Sequence, residues 1–334
     1  MENMSKNNKN STLIIMKDAL NNGLIKAMRE HLPEETNLAN YIMDIISIGK
    51  EAVYRRLRGE VPFTFYEVSL LSQSLGISLD QIVGTNRAEG AVFNLNVADG
   101  TSHIDNYHDI IKRYLKLFSF VKDDPKAVVS TACNIIPYTL YSPFERMTKF
   151  RLCRWMHQNN GMKMTGSMAD VVVPEKVLES QKKLTQEIRL MPTTYTILDN
   201  NLFQSFVREV KYFAGLNMLS DEDIEVMKTE LHRLLDDLEY VASSGEFSNG
   251  KQAYLYLSNI NFEATYSFVE KGSFQLSMYR LYAINYMDSQ HPEICRAQKE
   301  WIQSLKRYST LISQSGEIQR MIYFTKQREI VDTL

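Results

Sequence analysis

The sequence predicts a mainly α-helical protein with a small antiparallel sheet, an α+β chain made of a five-helix N-terminal module and a larger helical domain with about three C-terminal strands. Three observations predict it. Apolar residues recur at three- and four-residue steps along most of the chain, caps and glycines punctuate those runs, and the period drops to two only between residues 253 and 282. With 334 residues, 44% hydrophobic and 23% charged, the chain can bury a core in two or three domains. A disordered tail with a small folded head is excluded.

Residues 1–12 read as a polar, frayed tail, with no apolar stretch behind them to make a signal peptide. Leu13, Ile14, Met16, Leu20, Leu24, Ile25 and Met28 follow as an apolar series, interrupted at Asn21-Asn22-Gly23 and closed by Pro33, so the first helix of the module is placed at Leu24–Leu32. Asn37 caps a second helix carrying Leu38, Tyr41, Ile42 and Ile45, and Ser47-Ile48-Gly49 turns the chain. The next helix spans Lys50–Arg58. At 100° per residue Val53 and Leu57 point inward, while Lys50, Glu51, Tyr54, Arg55 and Arg58 point outward. Gly59 ends it in the left-handed conformation and Pro62 prevents its resumption. Phe65, Val68, Leu71 and Leu75 define a fourth helix stopped by Gly76, and Ser78 caps a fifth, Leu79–Val83.

The order helix, turn, basic helix, the loop Arg58-Gly59-Glu60-Val61-Pro62, apolar helix and LSQSLGISLDQIV (71–83) resembles the Cro/C1-type (xenobiotic-response-element-like) helix-turn-helix family of transcriptional regulators. The resemblance is confined to the N-terminal module, residues 13–83. It implies that Lys50, Glu51, Tyr54 and Arg55 face base edges in the major groove of double-stranded DNA, and that Arg58 with the backbone around Gly59 and Val61 holds phosphates. One position departs from the family. Arg56 stands where an apolar residue is usual and Leu57 follows one step later, which predicts a recognition helix slightly rotated in its seat.

Residues 84–104, thin in helical period and marked by Gly84, Gly90 and Gly100, read as a linker to a domain at 105–334. That domain opens with a helix bearing Ile110, Tyr114, Leu117 and Val121, closed by Pro125. Ala127–Ser130 is too short for its period to separate strand from helical turn. Phe144, Met147, Phe150, Arg151, Arg154 and Trp155 mix aromatic and basic residues, which reads as a packed helix with its cations reaching outward rather than as a base-stacking surface. Helices follow between Val172 and Met191 and, capped by Asp199 or Asn200, over Phe203, Phe206, Val210 and Phe213. Ser220-Asp221-Glu222-Asp223 has the form of a capping box, and Ile224, Met227, Leu231, Leu234, Leu238 and Val241 form a heptad seam ending at Gly245. Two readings of Ser220–Ser243 stay open: a dimerising coiled coil, or a helix packed in its own chain's bundle. Strands are expected around Ala253–Leu257, Phe262–Phe268 and Phe274–Tyr282, and two helices close the chain, one with Ile294–Ile312 and one with Ile318–Ile330.

Tyr254, Tyr256, Tyr266, Tyr279 and Tyr282 are candidates to line an effector pocket beside the sheet, taking a small molecule or a peptide. They could equally pack a half-buried sheet. No catalytic residues are assigned. His103 and His108 are five apart, wrong for an i, i+4 metal pair, His157 stands alone, and Ser180-Gln181-Lys182-Lys183 lacks the elements that give S-x-x-K meaning. No phosphate-binding or dinucleotide-binding glycine motif occurs, so no metal and no cofactor is expected. Three widely spaced cysteines support neither a disulfide framework nor a zinc site and suit a cytoplasmic protein, and no apolar run reaches the length of a membrane span. A net charge of −2 argues against coating nucleic acid indiscriminately, whereas local basic charge in Lys50–Arg58 suits a small site-directed footprint.

The expectation is therefore a sequence-specific DNA-binding transcriptional regulator, a homodimer, whose C-terminal domain serves dimerisation or effector sensing. The alternative is a protein–protein module that uses the helix-turn-helix and the heptad-bearing helix as docking surfaces without reading DNA.

Overall fold

A computed structural model of the chain describes residues 20–29, 31–32, 36–77, 79, 91–98, 103–158, 166–281 and 284–334. Two compact units divide it, Met1–Val92 and Phe93–Leu334. In the first, residues 20–29 are helical (α1), followed by α2 (Leu38–Ile46), α3 (Lys50–Leu57) and α4 (Phe65–Leu75). Asn21–Gly23, read from sequence as a break, lies within α1. The tail at 1–12, the Ser78 cap and most of the expected fifth helix lie outside the described residues. A core of Leu24, Met28, Ile42, Val53, Leu71 and Ile77 joins the four helices. Each fully buried side chain of this size contributes about 1.5–3 kcal/mol, which is what holds so small a unit together.

The second unit corrects the predicted fold class. Its sheet is not a small antiparallel one of three strands but a mixed sheet of eight, in the order β1-β7-β6-β5-β2-β3-β4-β8. The strands are β1 (Asn94–Asn96), β2 (Val128–Cys133), β3 (Thr193–Leu198), β4 (Gln252–Ser258), β5 (Tyr266–Lys271), β6 (Phe274–Leu281), β7 (Asn285–Ser289) and β8 (Ser309–Leu311). β2, β3 and β4 run parallel, Val128 opposite Thr193 and Thr193 opposite Gln252. Parallel neighbours need long crossovers. Helices supply them: α6 (Tyr138–Tyr141), α7 (Glu145–Gln158) and α8 (Glu175–Arg189) between β2 and β3, then α9 (Leu202–Gly215) and α10 (Asp221–Ser244) between β3 and β4. β5 and β6 pair antiparallel where the sequence alternates, β7, which the alternation did not announce, extends them, and the expected first strand, β4, pairs with β3 and β8 and not with β5.

Alternation across the strands makes two cores. Val129, Cys133, Leu198, Leu255, Leu257 and Val269 pack under α5 (His103–Val121), α7 to α10 and α12 (Glu317–Asp332), while Ala132, Ile197, Tyr266 and Phe268 pack under α11 (Pro292–Arg307). The sheet is therefore sandwiched between a thick helical layer and one helix. β1, inside the stretch read as linker, is tied to β7 and α5 through Asp288, which accepts from Asn94 Nδ2 (2.9 Å), Asn96 Nδ2 (2.6 Å) and the Tyr114 hydroxyl (3.2 Å).

Two further sequence readings are resolved. Ser220 and Asp223 do form a reciprocal capping box, each side chain bonded to the other's amide, and Gly245 closes α10 at φ +77°. Met227, Leu231, Leu234, Leu238 and Val241 of the seam are all buried in their own chain's core, so Ser220–Ser243 is a bundle helix and its seam is not available as a docking surface. In α7 the aromatic-basic run packs as expected, but its cations do not reach outward. Arg151 is 2% exposed and donates to the Tyr107 hydroxyl at 2.9 Å, and Arg154 pairs with Glu209. Among the described residues no helix is long and apolar enough to cross a membrane.

Candidate nucleic-acid interface

Local chemistry sets the angle between α2 and α3. Asn37 Oδ1 accepts the amides of Ala39 (3.0 Å) and Asn40 (3.2 Å), satisfying donors that a helix start leaves unpaired. At the other end Ser47 turns left-handed, φ +53°, and its amide returns to the Met43 carbonyl. Gly49, extended at ψ 155°, then starts α3, so three residues separate the two helices. Val53 is fully buried, and Leu57 and Tyr54 pack partly on the same core. Gly59 ends the helix at φ +78°, with Arg58 as its C-cap.

The departure at Arg56 has a partner. Its guanidinium meets Glu67 of α4 with two bonds, Nε to Oε2 at 3.1 Å and Nη2 to Oε1 at 2.7 Å, and donates Nη1 to the Ala52 carbonyl at 3.2 Å. Glu67 is also the acid of a capping box, accepting the Thr64 amide at 2.8 Å while Thr64 Oγ1 accepts the Glu67 amide at 3.3 Å. Burial alone would raise the Glu67 carboxyl, but the Arg56 guanidinium and the Thr64 amide outweigh it and hold the group below its ordinary range. At position 56 an ion pair thus adds to the apolar core that joins α3 to α4.

The outward face of α3 carries Lys50, Glu51, Arg55 and Arg58, all exposed, with Tyr54 half-buried at its flank. Within the helix Glu51 is the acid beside these cations, and folding adds Glu60. Arg58 binds Glu60 Oε1 at 2.6 Å and Glu51 Oε1 at 3.1 Å, and Arg55 lies 3.5 Å from Glu60 Oε2. Glu60 and then Glu51 hold the Arg58 guanidinium firmly protonated, and Arg58 in turn keeps Glu60 below the usual carboxylate range. The backbone around Gly59–Val61, expected to hold phosphates, has its amides in use: Gly59 donates to Arg56 O at 3.0 Å, Glu60 and Val61 to Arg55 O at 2.9 and 3.3 Å. Of the groups expected to hold phosphates, the exposed Arg58 side chain remains. Phe65, expected in the apolar stripe of the fourth helix, instead stands 80% exposed where α4 begins, and Tyr66 beside it is 72% exposed.

In the second unit the tyrosines fall into two groups separated by β2 and β3. Tyr254 stacks on Tyr195 at 5.1 Å, and the Lys306 ammonium sits 3.5 Å from the Tyr195 ring centre and 5.1 Å from that of Tyr256. Tyr266 and Tyr279 are direct partners across β5 and β6 and line an open cleft of about 570 Å³ together with Phe262, Glu263, Gln298 and Trp301. Tyr282 lies outside the described residues. Trp301 and Gln298 come from α11, and no period in the sequence links them to the strands they meet.

His108 Nε2 lies 2.9 Å from Ser180 Oγ between α5 and α8, and burial lowers its basicity; His157 stands edge-on to Phe213. Among the described residues no group of three His, Cys, Asp or Glu is placed to hold a metal ion. No protein-family model matches the chain, and no curated protein matches it either.

Proposed function

We propose that the chain is a sequence-specific DNA-binding transcriptional regulator with a Cro/C1-like helix-turn-helix, residing in the cytoplasm, which lays α3 in the major groove of double-stranded DNA. The observation that carries this reading is the arrangement of α2, a three-residue turn and α3, with Val53 inward and Lys50, Arg55 and Arg58 outward. Eight residues of helix span about 12 Å, a length that the groove accepts. Lys50 and Arg55 donate to guanine O6 and N7, Glu51 accepts from cytosine N4, Tyr54 lies beside them, and Arg58 exchanges Glu60 for a phosphate.

A homodimer would present two such helices to one operator. Its interface cannot be the α10 seam. Along α12, Ile318, Met321 and Ile322 are 65%, 60% and 58% exposed at i, i+3 and i+4 spacing, an apolar face suited to that role. The second unit would then provide dimerisation or effector sensing.

Selection of bound duplexes from a random DNA pool by the full-length protein tests the reading. Enrichment of a palindromic motif supports class and symmetry together, and a pool that stays random after repeated rounds refutes both. A second reading, a protein–protein module docking through the helix-turn-helix, is favoured by the exposed Phe65 and Tyr66 and by the carboxylates interleaved with the arginines. It predicts no enriched motif and a partner lost on Phe65→Ser/Tyr66→Ser substitution.

A further inference from the structure

The cleft between α11 and strands β5 and β6 has a consistent chemistry. Its walls are aromatic: Phe262 and Tyr266 are each 7% exposed, Tyr279 is half-buried, and Trp301 stands at the mouth, 53% exposed, its indole N–H donating to the Tyr266 hydroxyl at 2.5 Å. Among the described residues that line it, Glu263 is a carboxylate and none is Lys, Arg or His. At the base lies Gln298, 5% exposed. Its amide nitrogen is committed to the carbonyls of Ser267 (3.3 Å) and Met278 (3.5 Å), which fixes the orientation of the group. Its carbonyl oxygen is left buried with no hydrogen-bond donor.

Each of these features selects for the same ligand. Ring faces carry negative quadrupole charge and attract cations, Glu263 supplies a full negative charge at the rim, and the Gln298 oxygen lacks a donor that a ligand N–H entering past Trp301 could supply. An anion would meet π-faces and a carboxylate, with no counter-charge. The volume falls within the range of small-molecule sites.

We propose that this cleft binds a small organic cation, an amine or alkylammonium carried on a flat apolar body. The inference deepens the effector-sensing role proposed above and depends on that reading for its regulatory meaning, but binding itself does not depend on DNA.

The test is made on the full-length protein without DNA, with three probes: benzylammonium, benzyl alcohol and phenylacetate. The chain has two tryptophans, and Trp155 is buried in the other core, so its indole signal serves as an internal control in NMR titrations. Benzylammonium is expected to shift the Trp301 indole signal saturably and leave Trp155 in place, to bind at least about tenfold more tightly than benzyl alcohol, and to have no counterpart in phenylacetate. Glu263→Gln, at an exposed site where folding is not at risk, should weaken the cation about threefold, and Trp301→Leu about tenfold, while Tyr254→Phe has no effect. The proposal is overturned if no probe saturates, if the alcohol or the acid binds as well as the cation, or if both variants bind it unchanged. A random outcome of the DNA selection would remove the regulatory reading and leave this result standing, so the two failures are distinguishable.

Discussion

Arg56 and Glu67 face each other as a two-pronged ion pair, at 3.1 and 2.7 Å, with side chains only 14% and 11% exposed. The pair sits where the helix-turn-helix pattern calls for hydrophobic contact, and it recruits the capping acid of α4 for a second task. Removing one partner of such a pair costs far more than removing both, because the survivor is left charged and desolvated. Glu67→Gln is expected to destabilise the first unit by about 2 kcal/mol, whereas Arg56→Met/Glu67→Gln should recover at least half of that loss. Urea unfolding followed by circular dichroism measures both. Equal losses in the single and double variants would show that the pair itself contributes nothing.

The two units are expected to respond to acid with opposite signs at two carboxylates. Glu67 is held below its ordinary value, so the stability it contributes is present above the ordinary glutamate range and is lost as pH falls through its depressed value. Glu230 is raised by burial, opposed by the Met147 and Arg146 amides at 2.8 and 3.1 Å. Its contribution is therefore fully present below the ordinary glutamate range and is lost as pH rises through the elevated value. Urea midpoints between pH 3 and pH 7 should fall in acid for the first unit, and Glu67→Gln should flatten that fall.

On DNA, Arg55 and Arg58 are expected to separate by role. Arg55→Ala should cost about 1–3 kcal/mol at one base pair and relax selectivity there. Arg58→Ala should weaken every sequence alike and lower the salt slope by about one. Glu60→Gln frees Arg58 from its closest carboxylate and should raise affinity for all duplexes. Fluorescence anisotropy at several salt concentrations distinguishes these outcomes, and an unchanged affinity in all three variants would remove α3 from the interface.

If α12 provides the dimer contact, Ile318→Lys/Ile322→Lys should convert dimers to monomers in light scattering without changing the circular dichroism spectrum, since both side chains are exposed in the single chain. A substitution on the α10 seam such as Leu231→Lys should instead unfold the second unit, because Leu231 is fully buried. Dimers that survive the α12 changes would move the interface elsewhere.

The helices of the first unit were legible because their signals are local: Asn37, Gly59 and Gly76 act on neighbours within a few residues. The central sheet was not. Val128–Cys133 and Thr193–Leu198 are covered on both faces, so they show no in-out alternation, and at six residues each they are too short for any other period to appear. The heptad in α10 was read correctly as an apolar stripe but could not announce its partner, since a seam facing its own bundle and one facing a second chain look alike in one dimension. Arg56 could be flagged as a misfit, yet its answer lay eleven residues on, in a carboxylate that also caps α4. Likewise Tyr266 and Tyr279 were singled out by their alternation, while Trp301 and Gln298 reach the same cleft from a helix whose period explains only its own buried side.

Tyr279 has a second neighbour. Outside the cleft wall its ring meets Phe93 edge-on, 6.1 Å between centres, and Phe93 is the residue at which the chain enters the second unit. The first residue of the second unit thus packs on the ring of a tyrosine that also lines the cleft. A guest that turned the Tyr279 ring would displace the Phe93 ring with it, since the two are in direct edge-to-face contact.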